Sequence, residues 1–272
     1  MTRRLVLRPR TGWQPLELRE IWSYRDLFWV LAARDIKVRY KQTVLGVAWA
    51  VIQPLFTMVV FTMIARFGNI PTDGIAPPIF YYAGMLPWFL FANSVNASGV
   101  SLVGSQHLIS KVYFPRLIIP VAAVITSLTD FLIGFVLLLG MMAWYGVHPG
   151  LQILALPLVV ALAFFAALAF GIWLCALTAQ FRDVRHVLPF AIQFWLFCTP
   201  VLYPSSVVHS PWKRALLGIN PMSGVVDAVR WCVFGQPVPG PGLLISIGVI
   251  AVVLIGALYY FRSVEKTLVD RL

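Results

Sequence analysis

The sequence predicts an all-α polytopic membrane protein with six transmembrane helices, an amino-terminal interfacial helix, a short cytoplasmic helix and re-entrant outer segments. Of its 272 residues, 60% are hydrophobic and only 11% are charged, and the mean hydropathy is +0.85. Soluble domains carry roughly a quarter charged residues, so the composition excludes a water-soluble globule. Apolar runs long enough to cross a bilayer recur along nearly the whole chain.

Six apolar stretches give the predicted spans. A helix of about twenty residues crosses the hydrocarbon core of a bilayer, because each residue adds about 1.5 Å. The third and fourth stretches are longer and predict tilted or projecting helices. The spans are residues 44–64, 79–103, 117–145, 151–179, 187–203 and 242–261. They form one domain, 44–272, which includes a tail at 262–272 and follows an amino-terminal segment, 1–43.

The distribution of Lys and Arg sets the orientation of these spans. Most of the 21 Lys and Arg residues lie in the amino-terminal segment, the second and fourth loops and the tail. The opposite loops hold only Arg66, Lys213, Arg214 and Arg230. Both termini are therefore expected in the cytoplasm, and the net charge of +11 is explained without a nucleic-acid site.

Residues 24–42 are predicted to form an amphipathic helix at the membrane interface, with basic residues opposite an apolar face. Asp35 lies within the apolar face, which predicts a bend or an end there. Two roles stay open with equal weight: a topology anchor, and an entrance for an anionic substrate. The apolar positions are Tyr24, Leu27, Phe28, Leu31 and Val38.

The second loop, residues 104–116, is predicted to carry a short helix on the cytoplasmic surface. Leu108, Ile109 and Val112 recur at helical spacing, and Pro115 stops the turn before the third span. Exposed apolar side chains at this position are unfavourable unless another molecule covers them. The pattern indicates a cytoplasmic protein partner, with a lipid-covered turn as the alternative.

Residues 204–241 form a long outer segment in which prolines separate two short apolar pieces, 215–219 and 225–234. Neither piece is long enough to span a bilayer, and Asn220–Pro221 forces a break between them. This pattern is typical of re-entrant or interfacial half-helices. Closing the outer end of a pathway and packing the bundle as a lid are both open roles.

Aromatic and amide side chains share faces in the first and fifth spans. Sugar rings lie well on aromatic rings, and amides can bond hydroxyls, so a carbohydrate path is one interpretation. Packing against other helices is the interpretation that the sequence alone favours. The residues are Trp49, Gln53 and Phe56 in the first span, and Phe190, Gln193, Phe194 and Phe197 in the fifth.

Asp130 is the only acidic residue within a predicted span, and burying it ionised costs at least about 2.5 kcal/mol. A hydrogen bond with Ser127, Thr129 or another span is the simplest expectation, and a proton-coupled transporter is the alternative. The cysteines and histidines show no metal-ligand spacing, so neither a metal nor a cofactor site is predicted. Because the GxxxxGK[ST] phosphate loop is missing, the chain is not expected to hydrolyse ATP by itself.

Two segments carry a resemblance to a known family: ARDIKVRYKQTVLGVAWAVIQP, residues 33–54, and LISKVYFPRLIIP, residues 108–120. Together with the six predicted spans, they resemble the membrane subunits of bacterial ABC exporters for O-antigen, teichoic acid and related surface polysaccharides, within the type-2 ABC permease class. The resemblance covers essentially the whole chain. It is nearer to the O-antigen branch than to the capsule-exporter branch.

The resemblance implies a homodimer in the bacterial inner membrane, served by two separate ATPase subunits that bind ATP and Mg, and a polyprenyl-diphosphate-linked polysaccharide as substrate. It places the channel wall at Trp49, Gln53, Phe56, Phe190, Gln193, Phe194 and Phe197. The diphosphate needs cations near the cytoplasmic mouth. The candidates are Arg34, Lys37, Arg39, Lys41, Arg182 and Arg185. The resemblance places the ATPase contact at His107, Leu108, Ile109, Lys111, Val112 and Tyr113.

Two other functions are weighed against this one. A type-2 permease for a lipid or drug shares the architecture, but it typically has a large extracellular domain or a fused ATPase domain. A membrane enzyme that transfers glycans needs acidic residues at the membrane face, and the predicted inner loops hold only Asp183.

Overall fold

A computed structural model describes residues 18–41 and 47–265 of the chain. These residues form eleven α-helices and two short 3-10 helices, and the described ranges contain no strand. The all-α prediction is therefore confirmed there. The helices are α1 Leu18–Ser23, α2 Arg25–Lys41, α3 Ala48–Gly68, α4 Pro77–Gly104, α5 Gln106–Ile109, α6 Ile118–Trp144, α7 Leu156–Gln180, α8 Val184–Cys198, α9 Pro211–Leu217, α10 Pro221–Phe234 and α11 Pro241–Glu265. The 3-10 helices are Leu151–Ala155 and Ser205–Val207.

Four of the described helical segments are long and apolar enough to cross a bilayer, which indicates a multi-pass membrane protein. They are α3, α6, α7 with the 3-10 turn before it, and α11. The predicted second span corresponds to α4, which has 28 residues but is less apolar than these four. The predicted fifth span corresponds to α8, which has 15 residues and ends at Cys198 rather than at Tyr203. A count of six spans remains a prediction.

The centre of the bundle is α4, which packs most extensively against α6 and α7. Its residues from Ile79 to Trp88 are all buried. The close approach of α4 and α7 depends on Gly171, where an added Cβ would lie 2.8 Å from the hydroxyl of Ser98. Small residues that let helix backbones approach are characteristic of membrane bundles. The core therefore lies between α4, α6 and α7.

The amphipathic helix expected at 24–42 begins one residue later, as α2, and packs against α6. Leu31 lies on its buried face, as expected, but Val38 is exposed. A helix end at Asp35 is wrong, because the helix continues through this residue, whose carboxylate pairs with the guanidinium of Arg34 at 2.8 Å. This pairing satisfies Asp35 at the surface without interrupting the helix. A bend at Asp35 remains a prediction. Gln42 lies outside the described residues.

The outer segment contains the break expected at Asn220–Pro221: α9 ends at Leu217 and α10 begins at Pro221. The side-chain carbonyl of Asn220 caps α10 by accepting from the backbone N–H of Met222 at 3.1 Å. Helix α10 is almost fully buried and packs against α4, α7 and α11. The outer segment is thus an integral part of the bundle. Whether it re-enters the membrane remains a prediction.

Candidate functional site

The acidic residue at the middle of α6 has partners on α2. The Asp130 carboxylate lies 2.6 Å from Nη2 of Arg39 and also accepts a hydrogen bond from the Tyr40 hydroxyl. Its side chain is only 11% exposed. The expectation of a bond to Ser127, Thr129 or another span is therefore wrong, because the partners come from the interfacial helix. The pairing with an arginine compensates an acid that would otherwise be costly at this position.

Tyr40 donates to Asp130 rather than accepting from it. Burial, followed by the hydrogen bond to Asp130, raises the pKa of Tyr40 above its ordinary value of 10.0. The hydroxyl is therefore protonated at physiological pH, and its hydrogen points to the carboxylate. Two adjacent residues near the end of α2 thus hold one carboxylate of α6.

Beside this cluster lies a cavity of about 210 Å³, which we call the inner cavity. Four helices line it, and each contributes polar atoms. The cavity brings together residues with two different predicted roles. Trp49 and Gln53 were predicted to line the channel, and Arg39 was predicted to lie at the cytoplasmic mouth. Asn93 of α4 also faces the cavity, and sequence reasoning missed it. The lining is Arg39, Tyr40, Trp49, Ala50, Gln53, Pro54, Leu86, Phe89, Leu90, Asn93, Asp130 and Phe131.

The predicted aromatic stripe of α8 lies on the side of the helix that faces away from the rest of the described residues. Phe190, Phe194 and Phe197 are 79%, 70% and 54% exposed, and Gln193 is exposed beside them. The opposite face of α8, formed by Leu188, Ile192 and Leu196, is buried. In α3, Phe56 is likewise 69% exposed.

These rings do not pack against other residues of 18–41 and 47–265, so the helix packing that the sequence favoured is not found within that part of the chain. An apolar aromatic surface of this kind faces lipid, another subunit or a transport path. Trp195, the residue after Phe194, faces the other way: its ring lies 5.2 Å from that of Phe91 and 4.8 Å from that of Phe170. In α8 it is therefore the stripe, and not Trp195, that is available to a path or a partner.

Most of the basic residues of the predicted mouth are exposed. On α2, Arg34 pairs with its neighbour Asp35, and Lys37 and Lys41 are exposed. Arg182 and Arg185 are exposed between α7 and the first turn of α8, and Nε of Arg185 donates to His186. Arg39 differs from all of these because its carboxylate partner, Asp130, lies on another helix and is largely buried. The predicted mouth therefore contains exposed cations, of which Arg34 is paired with its neighbour, and one cation that is bound to α6.

The predicted ATPase contact lies on and after α5, a helix of only four residues. Leu108 and Ile109 are half-buried against the core, whereas Val112 and Tyr113 are exposed. His107 and Lys111 are exposed as well. The exposed apolar surface of the loop is thus shifted towards its end, because the helix stops before Val112.

The end of this loop is tied to the last helix of the bundle. The guanidinium of Arg116 donates to the backbone carbonyl of Glu265 at 2.6 Å, and the carboxylate of Glu265 lies 2.8 Å from Nη1 of Arg262. Sequence reasoning missed this contact because 149 residues separate Arg116 from Glu265. The loop and α11 are therefore fixed to each other at the cytoplasmic end assigned by the topology prediction.

Arg230 on α10 is fully buried, although the sequence analysis counted it among the charges of the outer loops. Its guanidinium donates to the backbone carbonyls of Pro200 at 2.7 Å and Val201 at 2.8 Å, and it lies 3.8 Å from the centre of the Phe80 ring. Gly84 leaves room for it, because an added Cβ would lie 2.9 Å from Nη2. Arg230 therefore satisfies the backbone that follows the early end of α8.

The comparisons with known proteins agree with this architecture. Residues 26–234 match the family described as ABC-2 type transporter. The chain is 32% identical over 245 residues to the O-antigen export system permease protein RfbA of Myxococcus xanthus, covering 88% of this chain and 92% of that protein. It is 29% identical over 210 residues to the RfbA protein of Klebsiella pneumoniae, covering 75% and 79%.

A more distant relative is the polysialic acid transport protein KpsM of Escherichia coli, which is 24% identical over 208 residues and covers 74% of this chain and 78% of its own. The higher identity to the O-antigen permeases agrees with the branch that the sequence resembles. The family match extends from α2 to the end of α10 and includes the Arg39–Asp130 pair, the inner cavity and the aromatic stripe. The chain therefore belongs to the ABC-2 type transporter family and is a multi-pass permease subunit.

Proposed function

We propose that the chain is the transmembrane subunit of an ATP-driven exporter that moves a polyprenyl-diphosphate-linked, O-antigen-like polysaccharide out of the cytoplasm. The observation that carries this proposal is the match to an O-antigen export permease along 88% of the chain. The exposed aromatic stripe on α8 supports it, because aromatic rings offer stacking surfaces to successive sugar rings. The exposed cations of α2 offer contacts for the diphosphate.

We further propose that two copies of the chain enclose the path. The exposed sides of α3 and α8 carry Phe56, Phe190, Phe194 and Phe197, which have no cover within the described chain. A second copy placed against these helices would bring two aromatic stripes together around one path. Large exposed apolar surfaces of this kind are typical of interaction sites. In a homodimer, the stripe of one subunit would thus face the stripe of the other and line the path for the glycan.

Energy for transport comes, in this proposal, from a separate ATPase subunit that binds ATP and Mg. The sequence contains no Gly-Lys pair with which to build a phosphate loop. The exposed side chains after α5, Val112 and Tyr113, offer a docking surface on the cytoplasmic side. With both termini in the cytoplasm, as the Lys and Arg distribution predicts, this loop faces an ATPase below the inner membrane.

The proposal is tested by reconstituting the chain in lipid vesicles with a candidate ATPase subunit. We expect stable copurification in a two-to-two ratio, and ATP hydrolysis that rises when the lipid-linked glycan is added. Val112→Asp with Tyr113→Asp should abolish copurification, whereas Lys213→Asp, on the opposite face of the predicted topology, should leave it intact. Stimulation by lipids or drugs without any response to the glycan would favour the alternative type-2 permease.

A further inference from the structure

The inner cavity contains polar groups that the rest of the described chain does not satisfy. The side-chain amides of Gln53, which is exposed on α3, and Asn93, which is half-buried on α4, line the cavity, and neither has a hydrogen-bond partner among the described residues. Unpaired amides are costly in an apolar environment. Polar residues inside membrane bundles are accordingly found at cavities and along substrate paths. Two such amides on different helices therefore indicate that the cavity holds a polar molecule.

The charge of the cavity selects against an anionic occupant. Arg39 supplies a positive charge, but Asp130 lies 2.6 Å from it and neutralises it. The N–H groups of Arg39 that do not contact Asp130 could still reach a phosphate, but the Asp130 carboxylate, 2.6 Å from Nη2, would repel it. An anion in the cavity would therefore gain little from the arginine. The diphosphate is therefore better placed at the exposed cations of the mouth than in this cavity.

The remaining lining suits an uncharged sugar. The amides of Gln53 and Asn93 can donate to hydroxyls and accept from them, and the indole of Trp49 offers an apolar face to the C–H side of a sugar ring. Drug-sized ligands occupy pockets of roughly 300–1,000 Å³. A volume of about 210 Å³ is smaller and suits one sugar ring.

We propose that the inner cavity is a binding site for one uncharged sugar residue of the glycan, with Asn93 and Gln53 as its hydrogen-bonding residues. The inference rests on the proposed function, which it deepens by separating the sugar from the phosphates. Arg39 and Asp130 act as a neutral pair that shapes one wall of the site and ties α2 to it. Arg39 is then a positioning residue for the sugar site and not a phosphate ligand.

The test measures the affinity of the full chain in lipid nanodiscs for two probes. One is a polyprenyl diphosphate that bears a single N-acetylglucosamine, and the other is the same lipid without the sugar. Asn93→Leu should weaken binding of the sugar-bearing probe about fivefold to tenfold, the loss expected for one or two hydrogen bonds. Its affinity for the sugar-free probe should stay within about twofold of wild type, because no phosphate contact is removed.

Asn96→Leu is the matched control, since Asn96 is half-buried on the same helix but does not line the cavity. It should change neither affinity. If Asn93→Leu fails to fold, Gln53→Leu replaces it, because Gln53 is exposed on α3 and tolerates an apolar side chain.

Three results would overturn the proposal. Equal losses for both probes would place the phosphates in the cavity, and the proposed export function would still stand. Unchanged binding of both probes in the Asn93 and Gln53 variants would show that the amides have a purely structural role. If the wild-type chain binds neither probe, the proposed function itself fails, and the sugar site fails with it.

Discussion

The aromatic residues of α4 and α8 have opposite surroundings, although both helices are rich in them. In α4, Phe80, Tyr81 and Phe91 are fully buried among neighbouring helices. In α8, Phe194 and its neighbours in the stripe are mostly exposed. The comparison teaches that spacing places rings on one face of a helix but does not determine what that face meets. A buried stripe holds the fold together, whereas an exposed one is available for a partner or a substrate.

The largest effect on stability is expected inside the aromatic cluster around α4. The ring of Phe91 lies 5.2–5.8 Å from those of Trp88, Phe170 and Trp195. Phe91→Ala should lower the free energy of unfolding by about 3–5 kcal/mol, because it removes these contacts and opens a cavity. Thermal unfolding in detergent measures this. A loss no larger than that of Phe194→Ala would show that the two aromatic regions do not differ.

A second large effect on stability is expected at Arg230, where α10 packs against α4. Arg230→Leu removes the donors to the carbonyls of Pro200 and Val201 and should cost about 2–4 kcal/mol. Arg214→Leu is the control, since Arg214 also donates to backbone carbonyls but is exposed. Its unfolding temperature should remain near that of wild type. Equal destabilisation by the two variants would contradict a special role for the buried guanidinium.

A smaller effect on stability is expected at Asp130, where α6 contacts the interfacial helix α2. Asp130→Ala leaves Arg39 and Tyr40 without their shared acceptor and should cost about 1–3 kcal/mol. Asp130→Asn retains an acceptor and should recover part of this loss. Tryptic cleavage within α2 should be faster in the Ala variant than in the Asn variant, because α2 is held less firmly to α6. Identical cleavage rates would show that the pair does not anchor α2.

The sequence predicted the helices better than their contacts, and the reason is physical. Span length and proline positions act locally, so α3, α6, α7 and the break at Asn220–Pro221 were all accessible from the sequence. The partner of Asp130 lies about ninety residues away along the chain, on a helix whose basic residues looked like surface charges. Only the packing of α2 against α6 brings the two together.

The same limit applies to Arg230 and Asn93. Arg230 was counted only as a charge of the outer loop, although the early end of α8 creates buried carbonyls that require a donor. Asn93 sits in a helix rich in small polar residues, and nothing in its spacing sets it apart from Asn96. The candidate channel wall was predicted as residues on shared faces, but whether those faces are covered depends on tertiary and quaternary packing.

The smallest effect on stability, and the most informative for function, is expected in the α8 stripe. Phe194→Ala and Phe197→Ala each remove a ring that touches little within the chain, so each should cost less than about 1 kcal/mol. If the stripe lines the path in the dimer, glycan display on the cell surface should nevertheless fall, because a stacking surface for the sugar is lost. Display must be compared at equal amounts of folded protein.

Phe165→Ala on α7 is the matched control for these two variants. Phe165 is also an exposed ring on a membrane helix, but it lies outside the stripe. Its removal should leave display unchanged if α8 lines the path, and should reduce display equally if any exposed ring matters only for contact with lipid. Dissociation of the dimer in the α8 variants, measured by cross-linking, would instead assign the stripe to packing between subunits. Reduced display from an intact, folded dimer is the combination that only a transport path predicts.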